Sequence, residues 1–285
     1  MYSIEEFDRQ GMHFFRLKGE GDFVEVCPER GGMVTAIHIA DVDLLYMNEE
    51  TLFDLDKNVR GGIPVLFPIA GQLRGKQYEW EGRVYQMANH GLVRTRPLEV
   101  AGQSCGTDHA EITLVFHSTP ETRVSYPFDF EMQLTYRLAG GKVTIQQKVT
   151  NRSTEPMPIC PGFHPYFAIR DKALELETTA TTYFDYNDHK EKPLTGKLEM
   201  AGLKESVIFE GGSVRAAFHA TKDLAIEADE HFRYTVVWVE GDAPFVCIEP
   251  WVAKNEALNT QEGLILVKPE QPVALEVKFY LENRS

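Results

Sequence analysis

Long stretches of this chain step apolar, polar, apolar, polar, and that period of two restricts its fold more than any other feature. Ile112, Leu114 and Phe116 alternate with Glu111, Thr113 and Val115. Met132, Leu134, Tyr136 and Leu138 alternate with Gln133, Thr135 and Arg137; Ala139-Gly140-Gly141 then turns the chain, and Val143, Ile145 and Val149 keep the step against Thr144, Gln146, Lys148 and Thr150. The cleanest run sets Val273, Leu275, Val277, Phe279 and Leu281 against Ala274, Glu276, Lys278 and Tyr280. Successive side chains of a strand point to opposite faces, so each run describes an antiparallel strand with one buried and one polar face. Further short β-rich runs cover residues 23–26, 33–39, 214–220, 224–230, 234–240 and 245–248, separated by turn residues. Residues 77–80 and 83–87 flank Glu81-Gly82, a two-residue hairpin signal. A short helix is expected over 49–55, and no amphipathic helix longer than about three turns is apparent. Many strands without βα alternation predict an all-β fold, a large antiparallel β-sandwich with few short helices. No linker or repeat divides the chain, and residues 1–285 are expected to form a single domain.

Charge narrows the partners. With 43 acidic residues against 29 basic ones, the formal net charge is −14; such a field repels phosphate backbones and argues against nucleic acid. No run of about 18 apolar residues suggests a membrane span. The acidic start, Met1-Tyr2-Ser3-Ile4-Glu5-Glu6, does not read as a secretory signal. Cys27, Cys105, Cys160 and Cys247 match no zinc or redox spacing, which fits reduced structural thiols in a cytoplasmic protein.

Against this scaffold the stretch from residue 60 to 94 stands out. It opens Arg60-Gly61-Gly62-Ile63-Pro64-Val65-Leu66-Phe67-Pro68 and closes Asn89-His90-Gly91-Leu92-Val93-Arg94. The opening is too apolar for an ordinary loop and too rich in proline and glycine for a helix; it is expected as ordered, irregular backbone at the rim of a site. Arg60 and Arg94 are planar donors suited to hydroxyls, carboxylates or phosphates. Read singly, they are equally surface arginines, and Asn89-His90-Gly91 is equally a polar turn.

Two more groups carry chemistry. His164 sits in Pro161-Gly162-Phe163-His164-Pro165-Tyr166-Phe167, an apolar setting whose prolines argue against a regular central strand. Its imidazole is either a packed core group or a proton donor tuned by burial and neighbours. Glu249 ends the apolar run Phe245-Val246-Cys247-Ile248. Pro250 is expected to stop that strand, leaving Glu249 at its mouth as a site carboxylate or as a solvated strand end. Trp251 beside it is suited to stacking on a sugar face. GxGxxG after a strand, a Walker loop and HExxH are all absent. The glycine pairs 31–32, 140–141 and 211–212 read as isolated turns.

The segments RGGIPVLFP, NHGLVR, GFHPYF and CIEPW, in that order, resemble the aldose 1-epimerase (galactose mutarotase-like) superfamily, most closely its hexose-6-phosphate mutarotase branch. The likeness runs over nearly the whole chain. It implies a galactose mutarotase-like β-sandwich with a sugar, free or phosphorylated, in a groove on one curved sheet, and neither metal nor cofactor. It also implies roles: Glu249 as general base, His164 as general acid, His90 lining the pocket, and Arg60, Asn89 and Arg94 touching substrate. Relatives often carry glutamine at the Asn89 place. They also often carry a sugar-binding aspartate in the stretch that here reads Lys204-Glu205-Ser206, where serine stands instead. Interconversion of α and β anomers is the activity this implies. A non-catalytic carbohydrate-binding protein on the same scaffold is the alternative, and a lyase or hydrolase domain sharing the sandwich is a third. Monomer and homodimer are both compatible with the sequence.

Overall fold

The computed structural model describes residues 1–284. Two large antiparallel sheets share one core. The nine-stranded sheet runs, in spatial order, Lys197–Glu199, Ala173–Glu177, Val214–His219, Lys222–Ala228, Pro272–Asn283, Lys142–Asn151, Phe130–Ala139, Ala110–His117 and Glu99–Cys105. The eight-stranded sheet runs Lys190–Pro193, Thr182–Asp185, Val207–Glu210, Tyr234–Trp238, Val246–Trp251, Gly162–Phe163 and Val65–Leu66, with Tyr166–Phe167 also pairing the Val246–Trp251 strand. A five-stranded N-terminal sheet adds Phe15, Leu17, Val24 and Val34 to the same core.

The period of two appears directly in the burial. Phe130–Ala139 alternates buried and half-buried along its whole length. Ile112, Leu114, Tyr136, Leu138, Val143, Val277 and Phe279 are fully buried in the core between the sheets. Gln147 occupies an inward position of the same alternation and is also buried, its amide donating to Met132 Sδ at 3.1 Å. The hairpin at Glu81-Gly82 is present, with φ of 51° and 75°, the turn whose twist suits two-residue hairpins. The expected helix forms over Glu49–Phe53, where Asn48 accepts from the Thr51 amide at 3.0 Å, and Asp54 already leaves in extended conformation.

Three local expectations meet the structure here, and the first and third need correction. Pro250 does not stop its strand: Val246–Trp251 runs through it, pairing Thr235 with Pro250 and Val236 with Glu249. Glu249 is therefore in mid-strand, not at a mouth. The proline is tolerated because of the side it faces. Val252 donates to the Pro161 carbonyl on the neighbouring strand, so Pro250, two residues earlier, presents its ring nitrogen to the same side. There the neighbour is broken at His164-Pro165, and no ladder partner waits for an N–H. Second, the His164 segment is, as its prolines suggest, no regular strand: it is buried, but as two two-residue pieces flanking a break. Third, residues 61–68 are not a rim but fully buried backbone at the edge of the eight-stranded sheet.

Candidate active site

Strand register builds the site. Gly162 pairs with Trp251 and Tyr166 with Cys247, so the residues midway between them, His164 and Glu249, stand opposite one another. Alternation points Cys247, Glu249 and Trp251 to the outer face of the sheet, while Val246, Ile248 and Val252 enter the core. His164 and Tyr166 share that outer face; Phe163 and Phe167 enter the core. The buried 61–68 segment fixes this arrangement from beyond: the His164 amide donates to the Pro64 carbonyl at 3.0 Å and the Tyr166 amide to Gly62 at 2.9 Å.

The resulting cavity, about 340 Å³, is lined by all six residues singled out from the sequence: Arg60, Asn89, His90, Arg94, His164 and Glu249. A roomier cavity of about 560 Å³ lies over residues 179–184, but no histidine lines it. In the smaller one, His164 Nδ1 lies 3.5 Å from Glu249 Oε1, and the two residues are only 8% and 1% exposed. The imidazole stacks on the Tyr166 ring (centroids 4.7 Å apart, planes 8°) with Trp238 edge-on at 6.0 Å. The Trp251 indole N–H donates to Glu249 Oε2 at 3.0 Å, leaving Oε1 toward the imidazole. His90 donates from Nδ1 to the Ala70 carbonyl at 2.6 Å, which leaves Nε2 as an acceptor, and its ring stands 5.3 Å from that of His164. Arg60 donates from Nε to both oxygens of Glu240, at 3.0 and 3.3 Å, and lies over the Trp238 ring. Arg94 is half-buried; burial lowers its guanidinium first, Tyr166 opposes, and the Arg60 and Arg30 charges add to the lowering.

Burial dominates the electrostatics. It pushes the Glu249 carboxyl well above the usual carboxylate range, with the Trp251 hydrogen bond opposing. Burial also holds the His164 imidazole well below its usual value, helped by His90, Arg94 and Arg60. Both directions favour a protonated carboxyl beside a neutral imidazole. That state and the imidazolium–carboxylate pair contain the same single proton and differ only in where it sits. His90 is pushed down to about 4, by burial first and the Arg94 charge second. Replacing Arg94 by Met should raise the His90 value, and that of His164 with it, while burial keeps both below 6.5. Imidazole shifts in an NMR titration read this directly. An unchanged His90 midpoint would mean the arginine field does not reach the ring.

Several lining residues carried no usable sequence signal. Gln72, Asn58 and Asn255 enter from loops; Asn255 Oδ1 accepts from the Gln72 amide at 3.0 Å. Tyr166 and Trp238 follow from the register, because both stand opposite Cys247, two residues before Glu249 on the same face. Lys204, Glu205 and Ser206 do border the cavity, and the Trp238 indole donates to the Lys204 carbonyl at 3.3 Å.

The family model for aldose 1-epimerases matches residues 14–279. The chain belongs to the aldose 1-epimerase family. Its similarity to the Slr1438 protein of Synechocystis is 30% identity with a TM-score of 0.91, covering 100% of both chains. A galactose mutarotase-like protein of Clostridium acetobutylicum has the same fold at 18% identity and a TM-score of 0.87, covering 99% of each. A Cenchrus ciliaris protein named, provisionally, as a glucose-6-phosphate 1-epimerase is 25% identical over 253 residues, 82% of this chain and 71% of that one. The outer face of the eight-stranded sheet, with its buried acid and imidazole, is thus the candidate site of an aldose 1-epimerase family member.

Proposed function

We propose that this protein interconverts the α and β anomers of an aldohexose or hexose 6-phosphate by acid–base ring opening. The observation that carries the reading is the His164–Glu249 pair, set opposite each other by strand register and open to a sugar-sized cavity. A pyranose hemiacetal offers two oxygens on one carbon, so a base and an acid a few ångströms apart can serve both. Glu249 as carboxylate takes the proton from the C1 hydroxyl. His164 as imidazolium gives its proton to the ring oxygen, and the C1–O5 bond opens to an aldehyde. Glu249 is then protonated and His164 neutral, the distribution that burial favours. Rotation about C1–C2 exposes the other carbonyl face, and the reverse transfers close the ring. Each positioned group contributes on the order of 10²–10⁴-fold in rate.

A protein that merely held sugar on this scaffold would gain nothing from a carboxyl buried against an imidazole, since removing such groups from water is unfavourable without a use. Arg94 extends the reading to charge. A half-buried guanidinium with no carboxylate partner among the described residues is a ready partner for an anionic substituent, and its planar fork suits phosphate. Exchange NMR of the purified protein with glucose and with glucose 6-phosphate tests both parts. Catalysed exchange is expected with both sugars, with a higher kcat/KM for the phosphate, and Arg94→Met should erase that preference. No acceleration of either sugar would refute the anomerase reading. Equal kcat/KM values would show that the arginines do not read phosphate.

A further inference from the structure

The Pro-Glu-Arg-Gly-Gly turn at residues 28–32 lies outside the pocket, yet it touches both segments that deliver its arginines. Arg30 is 2% exposed, among the largest fully buried side chains. A buried guanidinium is normally matched by a carboxylate. Arg30 instead donates from Nη2 to two backbone carbonyls, Lys57 at 2.8 Å and Thr51 at 3.2 Å, while its Nε has no partner. Those carbonyls bound the loop that leads into Asn58 and Arg60. Thr51 closes the link: its hydroxyl accepts from the Arg60 amide at 2.9 Å, and the Asn48 amide donates to the Arg60 carbonyl at 2.9 Å.

The other half of the contact is made by backbone. Gly31 has φ of 70°, and its amide donates to the Arg96 carbonyl at 3.1 Å. A β-carbon at Gly31 would lie 2.6 Å from Arg94 Cα and 2.7 Å from the Val93 carbonyl oxygen, so only glycine lets the two turns lie this close. The Leu98 amide donates to the Pro28 carbonyl at 3.0 Å on the far side of the same contact.

We propose that residues 28–32 form a bracket that positions the two pocket arginines, Arg60 through the Arg30 side chain and Arg94 through the Gly31 backbone. The proposal rests on the reading of Arg60 and Arg94 as substrate-binding groups. Arg30 is a positioning residue, since it acts only through the loop it holds.

Arg30→Met keeps the length and bulk and removes the fork. Hydrogen exchange at residues 58–61 should speed at least tenfold in this variant, while the strands of the nine-stranded sheet exchange as before. KM should rise about tenfold with kcat changed less than about twofold, because a misplaced binding group weakens capture. Arg30→Met/Arg60→Met should be no worse than Arg60→Met alone, since both act through one group. Arg30→Lys, which keeps the charge but offers no fork, should fall between wild type and Met, and it carries the test if the Met variant does not fold. Gly31→Ala should speed exchange at residues 93–96 and raise KM in the same way. Unchanged exchange at 58–61, or additive KM effects in the double variant, would overturn the bracket. An unchanged KM in Arg60→Met alone would instead remove the substrate role of Arg60, and the exchange data would still decide whether the bracket exists.

Discussion

Glu249→Gln is expected to slow catalysed anomerisation by about 10²–10⁴-fold, the usual contribution of a positioned base, while sugar binding stays measurable. The amide fills the same volume and can still accept from the Trp251 indole, which now donates to Glu249 Oε2 at 3.0 Å. It cannot take a proton from a hemiacetal hydroxyl. Stability should respond in the opposite sense, with a definite pH dependence. The carboxyl is held well above its ordinary value of 4.5 in the folded protein. A raised folded value gives a contribution fully present below 4.5 and lost as pH rises through the folded value, because the unfolded chain ionises first. Glutamine does not titrate. The Tm of the variant relative to wild type should therefore increase from acid toward neutral pH. Full activity in Glu249→Gln by exchange NMR would remove the base. A Tm difference independent of pH would show that the carboxyl is not held protonated by burial.

The sandwich was legible in the sequence because alternation is a local signal. The runs ending at Phe116, Leu138, Val149 and Leu281 each declare which face is buried, and the structure buries those faces. Glu249 and His164 were legible as residue types in unusual apolar settings, but their relation was not. That relation depends on two strand pieces of two residues each, too short for periodicity to register, and on a proline that looks like a strand end until its orientation is known. Gly31-Gly32 read as an isolated turn for a similar reason. Its meaning lies in how closely Arg94 approaches it, and no spacing along the chain encodes that approach. The loop residues Asn58, Gln72 and Asn255 line the pocket from three separate segments and left no pattern to follow.

His164→Asn is the second large effect, expected to slow catalysed exchange by about 10²–10⁴-fold through loss of the proton donor. Part of the change is structural and can be separated: losing the parallel stack on Tyr166 removes an aromatic contact of about 0.5–1.5 kcal/mol, which a modest fall in Tm would register. The catalytic part has two signatures that packing loss cannot imitate. The first is non-additivity. If one proton shuttles between the partners, neither works alone, so Glu249→Gln/His164→Asn should be about as slow as either single variant. The second is the pH profile. The wild-type pair works with one proton, so its rate should fall in acid as a second proton binds the imidazole and in base as the last proton leaves the carboxyl. Burial moves the first limb below 6.5 and the second above 4.5. In His164→Asn the carboxyl has no partner with which to exchange a proton, so the residual rate should lose both limbs of the bell. Independent losses in the double variant, or a bell-shaped residual profile without the imidazole, would mean that the proton reaching the ring oxygen does not come from residue 164.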